Sequence, residues 1–403
     1  MLWRWGFVPS NKLWTLDFIL TLLTSFSFFA GAFYLVTVLP SYIQELGGNP
    51  FQVGLVVGAW GYLPLVLRLY VGKFSNRSNK KLMIRLGLVS LIIVYFLMAY
   101  SKTIFALFIL RFVQGIGSAA IPTASGTLIA NITPFPRRGE GLGYFGITSS
   151  LGQAIGPAIG AYILNQYSYE AVFLLSAFTS LYSLALIHFV NEPEIEKNNI
   201  DDPNILIPRK AILPSVLFFS ITICFAACCA FLPLLGLERG ITQISLFFIS
   251  HGGISVIARP IGGALGDRIG RLPIVIFGMI TMSSAMFILG VANSNMVILF
   301  AGLFSGLGVS LCNTGLFALA LDRVSLDQQG SATAVIQLAW DVGIIISGIG
   351  LGFLASKFGL ASLFFAGGLC PLIALSLVIF LLLNGELTIK KPSNDTIKPI
   401  ATK

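Results

Sequence analysis

The sequence predicts an all-α integral membrane protein whose twelve transmembrane helices form two similar six-helix bundles. Three observations support this prediction: an apolar composition, basic residues that fall mainly on one side of the spans, and an internal repeat. Hydrophobic residues make up 56% of the 403 residues and charged residues only 10%, against about 45–50% and about 25% in an average soluble domain. We therefore expect a chain embedded mainly in lipid, without a large extramembrane domain.

The spans follow from the apolar runs. A bilayer core about 30 Å thick requires about 20 apolar residues of helix, so Gly, Pro, Asn and charged residues between such runs mark the ends of spans. We expect a first bundle over 1–190, a cytoplasmic linker over 191–210, a second bundle over 211–384 and a cytoplasmic tail over 385–403. The predicted spans are 16–44, 51–73, 81–100, 104–131, 139–164, 171–190, 211–236, 242–264, 272–292, 296–321, 331–356 and 360–384.

The basic residues predict the orientation. With both termini in the cytoplasm, nineteen of the 25 Lys and Arg residues fall in inner loops and tails, and only Lys102, Arg239 and Lys357 fall in outer loops. The positive-inside rule describes this asymmetry, and an odd number of spans would destroy it. We expect a multi-pass protein of the cell (plasma or inner) membrane. Its net charge of +9 then indicates lipid and not nucleic acid as the partner.

The two halves of the chain match at an offset of 191 residues. Six spans followed by six in the same orientation indicate parallel repeats related by an axis along the membrane normal. In that architecture a solute site is expected between the halves, exposed to each side in turn as the halves rock. The matched pairs are Arg68 and Arg259, Gly72 and Gly263, Asn76 and Asp267, Arg77 and Arg268, Lys80 and Arg271, Gly115 and Gly306, Gly117 and Gly308, and Gly139 and Gly330.

The loop between spans 8 and 9 reads Gly-Ala-Leu-Gly-Asp-Arg-Ile-Gly-Arg from Gly263 to Arg271. Its glycines permit a tight turn, and Asp267 can bind a helix N-terminus or a basic partner, worth about 0.3–1 kcal/mol when exposed. This loop resembles the signature loop of the major facilitator superfamily. The resemblance implies the major facilitator fold and a gating role for Gly263, Asp267, Arg268, Gly270 and Arg271.

The matching loop between spans 2 and 3 departs from the family pattern. Asn76 replaces the acid and Asn79 replaces the second glycine, whereas Gly72 and Arg77 are retained. Gly72 and Arg77 are therefore included among the gating candidates, although a charged latch is not expected here. The alternative is that the basic residues of this loop only determine topology.

Span 4 contains Arg111, Gln114 and Gly115 in an Arg-x-x-Gln-Gly pattern. This resembles a motif that the superfamily links to proton coupling. Arg111 lies about 10 Å inside the outer end of its helix. Charge at that depth is costly and usually functional, so Arg111 and Gln114 are candidates for proton coupling. The alternative is that Arg111 snorkels to the outer interface.

Span 5 contains a stripe of small residues in which Gly152, Gly156 and Gly160 are four positions apart. Such a stripe lets another helix approach closely, and Pro157 can bend the span. The segment resembles the motif associated with antiporters in this superfamily. Ordinary helix packing would use the same contact, so only the resemblance favours export.

Asp341 is the acid that lies deepest in a predicted span, about 15 Å from its inner end. A carboxylate at the bilayer midplane can bind and release a proton as water access alternates, so Asp341 is a third candidate for proton coupling. The alternative is a neutral or paired acid hydrogen-bonded between helices. Weaker candidates are Asn313 and His251, of which His251 is either a proton relay or a packing residue. Tyr34, Gln153 and Gln337 either line the cavity, which we expect spans 1, 4, 7 and 10 to shape, or hydrogen-bond across helices.

Three functions remain open. Export of small organic or amphipathic compounds in exchange for protons is favoured, because the nearest group in the superfamily resembles the twelve-span drug–proton antiporters. Proton-driven import of a sugar or organic acid uses the same fold. A membrane-embedded acyltransferase or protease is disfavoured, because His188 and His251 lie in different halves and no cysteine has metal-ligand spacing. We expect a monomeric transporter, not an enzyme, with no cofactor or metal.

Overall fold

The computed structural model describes residues 13–77, 79–134, 137–192, 208–324 and 329–384, and the regular elements in these ranges are helices. The eleventh span consists of α11, a π-helical turn and α12, so the predicted spans correspond one to one with these elements. The helices are α1 (Leu16–Glu45), α2 (Pro50–Arg77), α3 (Lys80–Tyr100), α4 (Ile104–Ile132), α5 (Arg138–Gln166), α6 (Tyr169–His188), α7 (Arg209–Arg239), α8 (Ser245–Ile269), α9 (Arg271–Gly290), α10 (Asn295–Leu321), α11 (Gln329–Ile346), the π-turn (Ser347–Leu351), α12 (Gly352–Phe358) and α13 (Leu360–Leu383).

Ten helical stretches in the described part of the chain are long and apolar enough to cross a membrane. The helices α5 and α8 are not among them, although they have 29 and 25 residues. Both are rich in glycine and they pack against each other. Because each covers part of the other, they present less surface to lipid and need fewer large apolar side chains.

The same helix pairings occur in both halves. In the first half α1 packs on α5 and α6, α2 packs on α4, and α3 packs on α4 and α6. In the second half α7 packs on α11 and α13, α8 packs on α10, and α9 packs on α10 and α13. These are the same five pairings shifted by six spans. The internal repeat of the sequence is therefore also a repeat of the packing, as expected for two pseudo-symmetric six-helix bundles.

Side-chain oxygens cap the N-termini of several helices. Each accepts a hydrogen bond from a backbone N–H in the first turn, which is otherwise without a partner. These N-cap residues are Thr15, Asn79, Thr103, Ser168 and Ser294.

Successive spans run in opposite directions. We call the side where α1 begins and α13 ends the terminal side, and the opposite face the distal side.

Two symmetry-related helix pairs join the halves: α2 with α11 and the π-turn, and α5 with α8. We call the first the α2–α11 seam. A Cβ atom on Gly54 of α2 would overlap the carbonyl of Gly348, and one on Gly61 would lie 2.8 Å from the carbonyl oxygen of Asp341. Only glycine permits so close an approach of two backbones. The π-turn begins at Ser347, directly beside this contact.

Candidate functional site

A cavity lies between the two halves, toward the distal side. Its accessible volume is about 40 Å³, so the cavity is narrow in this structure. Its walls come from α1, α2, α4, α7 and α11, whereas α10, which the sequence led us to expect, supplies none of the described lining residues. The lining residues are Phe33, Leu35, Val36, Leu39, Pro40, Val57, Trp60, Arg111, Phe225, Ala226, Cys229, Trp340 and Ile344.

Arg111 is the one charged side chain among these described lining residues. It is only 3% exposed, and its guanidinium donates a hydrogen bond of 2.7 Å to Oε1 of Gln114. Its Cζ atom lies 5.0 Å from the centre of the Trp60 ring. Its Nε atom has no hydrogen-bond partner among the described residues. Arg111 therefore presents its charge to the cavity and does not snorkel to the distal surface.

Gln114 connects Arg111 to a third buried side chain. Its amide Nε2 donates to the hydroxyl of Tyr95 on α3 at 2.9 Å, while its Oε1 accepts from Arg111. Gln114 and Tyr95 are both buried. The sequence identified Gln114 through its motif but did not identify Tyr95. The available signal was a hydroxyl group in the middle of an otherwise apolar span, where it requires a partner.

Asp341 lies beside the cavity and not in its described wall. It is 2% exposed, follows the lining residue Trp340, and has its backbone carbonyl against Gly61 of α2. The residue is thus part of the α2–α11 seam, where the two halves touch.

The small-residue stripe of α5 packs on α1, within the first half. A Cβ atom on Gly152 would lie 2.6 Å from Cβ of Phe29, and one on Gly156 would lie 2.6 Å from Cβ of Phe33. A Cβ atom on Gly160 would overlap the carbonyl of Tyr34. The hydroxyl of Thr37 donates to the carbonyl of Pro157 at 3.2 Å. The stripe thus fixes the position of α1, which carries five of the residues that line the cavity.

The loop between α8 and α9 turns at Gly270, whose φ of +100° is in the region that favours glycine. Arg271 forms an ion pair of 3.3 Å with Asp322 at the end of α10, and it donates to the carbonyl of Gly263 at 3.4 Å. Arg268 is exposed. A Cβ atom added at Gly263 would meet nothing within 4 Å, so packing does not require a glycine at this position.

Part of the two gating loops lies outside the described side chains. The side chains of Asp267 and Arg77 lie outside the described part, whereas Gly72 lies in the last turns of α2.

In the first half an acid that is distant in the chain, Glu192, binds at the start of α3. Glu192 accepts hydrogen bonds from the backbone N–H groups of Lys80 and Lys81 at 2.9 and 3.0 Å. A carboxylate at a helix N-terminus is favourable. Glu192 is 112 residues from Lys80 in the chain, so no local sequence pattern indicates this contact.

None of the weaker candidates Tyr34, Gln153, His251, Asn313 and Gln337 is among the described lining residues. His251 stacks on the lining residue Phe225 with ring centroids 5.0 Å apart, and its Nδ1 is 3.1 Å from the hydroxyl of Ser305. It therefore packs behind the wall. Cys229 also lines the cavity. Within the described residues no group of three His, Cys, Asp or Glu side chains is placed to hold a metal ion.

A family model decides the identity of the fold. The model described as Major Facilitator Superfamily matches residues 21–254 and 230–402. The chain belongs to the major facilitator superfamily. It is therefore a membrane transporter with two six-helix bundles around a cavity.

Relatives within the major facilitator superfamily are distant. An uncharacterized MFS-type transporter of Methanocaldococcus jannaschii is 25% identical over 85% of this chain and 92% of its own length. Multidrug resistance protein 1 of Bacillus subtilis is 26% identical over 83% of this chain and 88% of its own. The solved structure of the nucleoside transporter NupG superimposes with a TM-score of 0.75 at 13% identity, covering 91% of this chain and 99% of that one. The last comparison supports the fold alone.

Proposed function

We propose that this transporter is a proton-coupled exporter of small organic or amphipathic compounds that works by alternating access. The observation that carries the proposal is the cavity between the halves, which is lined from both halves and contains a buried Arg111. Relatives named as multidrug resistance proteins, such as MdtG of Proteus mirabilis at 27% identity over 70% of this chain, support export.

The distal contacts suggest how the halves move. The close approach of Gly54 and Gly348 holds α2 against α11 on the distal side. Breaking this contact would open the cavity distally, while contacts between the halves on the terminal side would close the other face. We propose that a proton on Asp341 shifts the balance between these states, because a buried carboxylate at the seam changes its charge and hydrogen bonding when it is protonated.

The orientation completes the proposal. By sequence, nineteen of the 25 basic residues fall in the loops and tails assigned to the terminal side, so we place that side in the cytoplasm of a plasma or inner membrane. Substrate would then enter from the terminal side and leave distally, while protons move inward through Asp341. A monomer contains all the elements that this cycle needs.

The test is proton release from energised inverted vesicles. In such vesicles the lumen corresponds to the distal side and is acidic, so an exchanged compound should enter as protons leave. Addition of a transported compound should raise the luminal pH in vesicles that contain the protein and leave it unchanged in vesicles that lack it. Movement of compound and protons in the same direction would contradict export and indicate the importer.

A further inference from the structure

The charge of the cavity is unbalanced. Of the thirteen described residues that line it, Arg111 carries a positive charge and none is a carboxylate. In the described part of the chain Arg111 makes no ion pair: its contacts are the neutral amide of Gln114 and the ring of Trp60, and its Nε atom has no hydrogen-bond partner. A buried guanidinium with such partners lacks a counter-charge.

An anion bound in the cavity would supply what Arg111 lacks. The guanidinium presents its donors in a planar fork that matches the two oxygens of a carboxylate. Only one hydrogen bond from this group is made within the described residues, to Gln114. A carboxylate beside Nε would satisfy this atom and neutralise the charge. A cationic compound would instead be repelled in a site with little water to screen the charge.

The remaining walls indicate the body of the ligand. Phe33, Trp60, Phe225 and Trp340 all face the cavity, and the other described lining residues except Arg111 are apolar. Aromatic rings stack favourably on such side chains. We propose that the substrates of this transporter are organic anions, in which a carboxylate pairs with Arg111 and an aromatic body lies among these rings. The proposal rests on the proposed function, in which this cavity is the substrate site.

Cys229 provides a reporter inside the cavity. It is half-buried among the lining residues, and a protein in which Ala replaces the other four cysteines would carry this thiol alone. The experiment measures the rate at which N-ethylmaleimide alkylates Cys229 in the purified protein, without a pH gradient. Three probes of similar shape are compared: 2-naphthoate as the anion, 2-naphthamide as the neutral analogue and N-methylquinolinium as the cation.

We expect 2-naphthoate to protect Cys229 at a concentration about tenfold lower than 2-naphthamide requires, as for a charge-assisted hydrogen bond, and the cation to protect least. Arg111→Gln should remove the difference between the anion and the amide, whereas Arg111→Lys should retain part of it. The matched control is Arg259→Gln. Arg259 is a second arginine within a span, but it donates to the carbonyl of Gly146 at 2.9 Å and does not line the cavity. Its replacement should leave the preference for the anion unchanged.

Equal protection by the three probes, stronger protection by the cation, or no protection by any probe would overturn the proposal. The comparison of the three probes in the protein with native Arg111 decides the anion preference even if Arg111→Gln does not fold. Proton coupling and direction do not enter the experiment. If the probes do not discriminate but a transported compound releases protons in the vesicles, the anion preference is wrong and the proposed exporter stands. If the probes discriminate but no protons are released, the exporter is wrong and the anion preference stands.

Discussion

At the scale of single residues, the two candidates for proton coupling occupy different places. Arg111 belongs to the cavity wall, where Gln114 and Trp60 hold its guanidinium. Asp341 belongs to the α2–α11 seam, next to the wall but with its backbone against α2. The placement suggests separate roles, with Arg111 acting on what is bound and Asp341 acting on how the halves move. Substitutions at the two positions should therefore fail in different ways.

Replacement of Asp341 by Asn should abolish uphill transport driven by a pH gradient and leave downhill exchange intact, because the amide cannot bind and release a proton. Both activities can be measured in the same proteoliposomes. Glu170→Gln is the control, since Glu170 is an exposed acid in the first turn of α6. Undiminished accumulation by Asp341→Asn would remove this residue from the coupling mechanism.

Replacement of Arg111 tests the charge and the shape of the side chain separately. Arg111→Ala should be nearly inactive, because it leaves Gln114 and the cavity without their cation. If Arg111 also acts in proton coupling, the remaining transport should have a shifted pH optimum. Arg111→Lys should keep some transport, because the charge survives while the planar fork is lost. Transport assayed across a pH series with matched protein amounts measures both effects. An unchanged pH profile for Arg111→Ala would exclude a role in coupling.

At the scale of helices, glycines determine which surfaces meet. The α2–α11 seam depends on Gly54 and Gly348, neither of which belongs to a motif that the sequence revealed. The α5 stripe was recognised, but it packs within one half and not between the halves. The signature loop also separates into positions that need glycine, such as Gly270, and positions that do not, such as Gly263. Sequence spacing alone does not distinguish these cases.

Gly54→Ala should weaken the distal closure, because its methyl group would overlap the carbonyl of Gly348. The equilibrium should shift toward the distally open state and the turnover should fall, with insertion into the membrane retained. Gly253→Ala is the matched control, since a Cβ there meets nothing within 4 Å. Equal turnover of the two variants would show that the seam is not a gate.

Gly270→Ala should lower the turnover and the thermal stability, because an L-residue at a φ of +100° is strained. The expected cost is about 1–3 kcal/mol, which is large against the net stability of most domains. Gly263→Ala in the same loop should change little, because its site is open. A Gly263 variant as impaired as the Gly270 variant would mean that the loop acts in another conformation.

At the scale of the whole molecule, the sequence predicted what depends on local and repeated signals. The twelve spans follow from apolar runs, and the repeat at 191 residues reappears as the same five helix pairings in each half. The cavity wall was only partly predicted. Trp60 in the wall, Tyr95 behind it and Glu192 at the start of α3 all act through partners on other helices, and those contacts depend on tertiary packing that no motif encodes.

Local packing in the second half explains why Arg111 has no counterpart there. Its repeat partner is Gly302 on α10. A Cβ atom on Gly302 would overlap the side chain of Ser250 and the carbonyl of Phe247, both on α8. The second half therefore has no space for an arginine at this position. Among the described lining residues the cavity has a single cation, which comes from the first half, so this part of its charge is asymmetric although the helix packing is symmetric.

The central claim is that the cavity beside Arg111 opens alternately to the two sides of the membrane. The most direct measurement uses the protein with Cys229 alone, reconstituted in one orientation and treated with a membrane-impermeant thiol reagent on either side. The account predicts that Cys229 reacts from both sides, and that a pH gradient changes the ratio of the two rates. Asp341→Asn should abolish this response to pH. Reaction from one side only, under every gradient, would contradict the account.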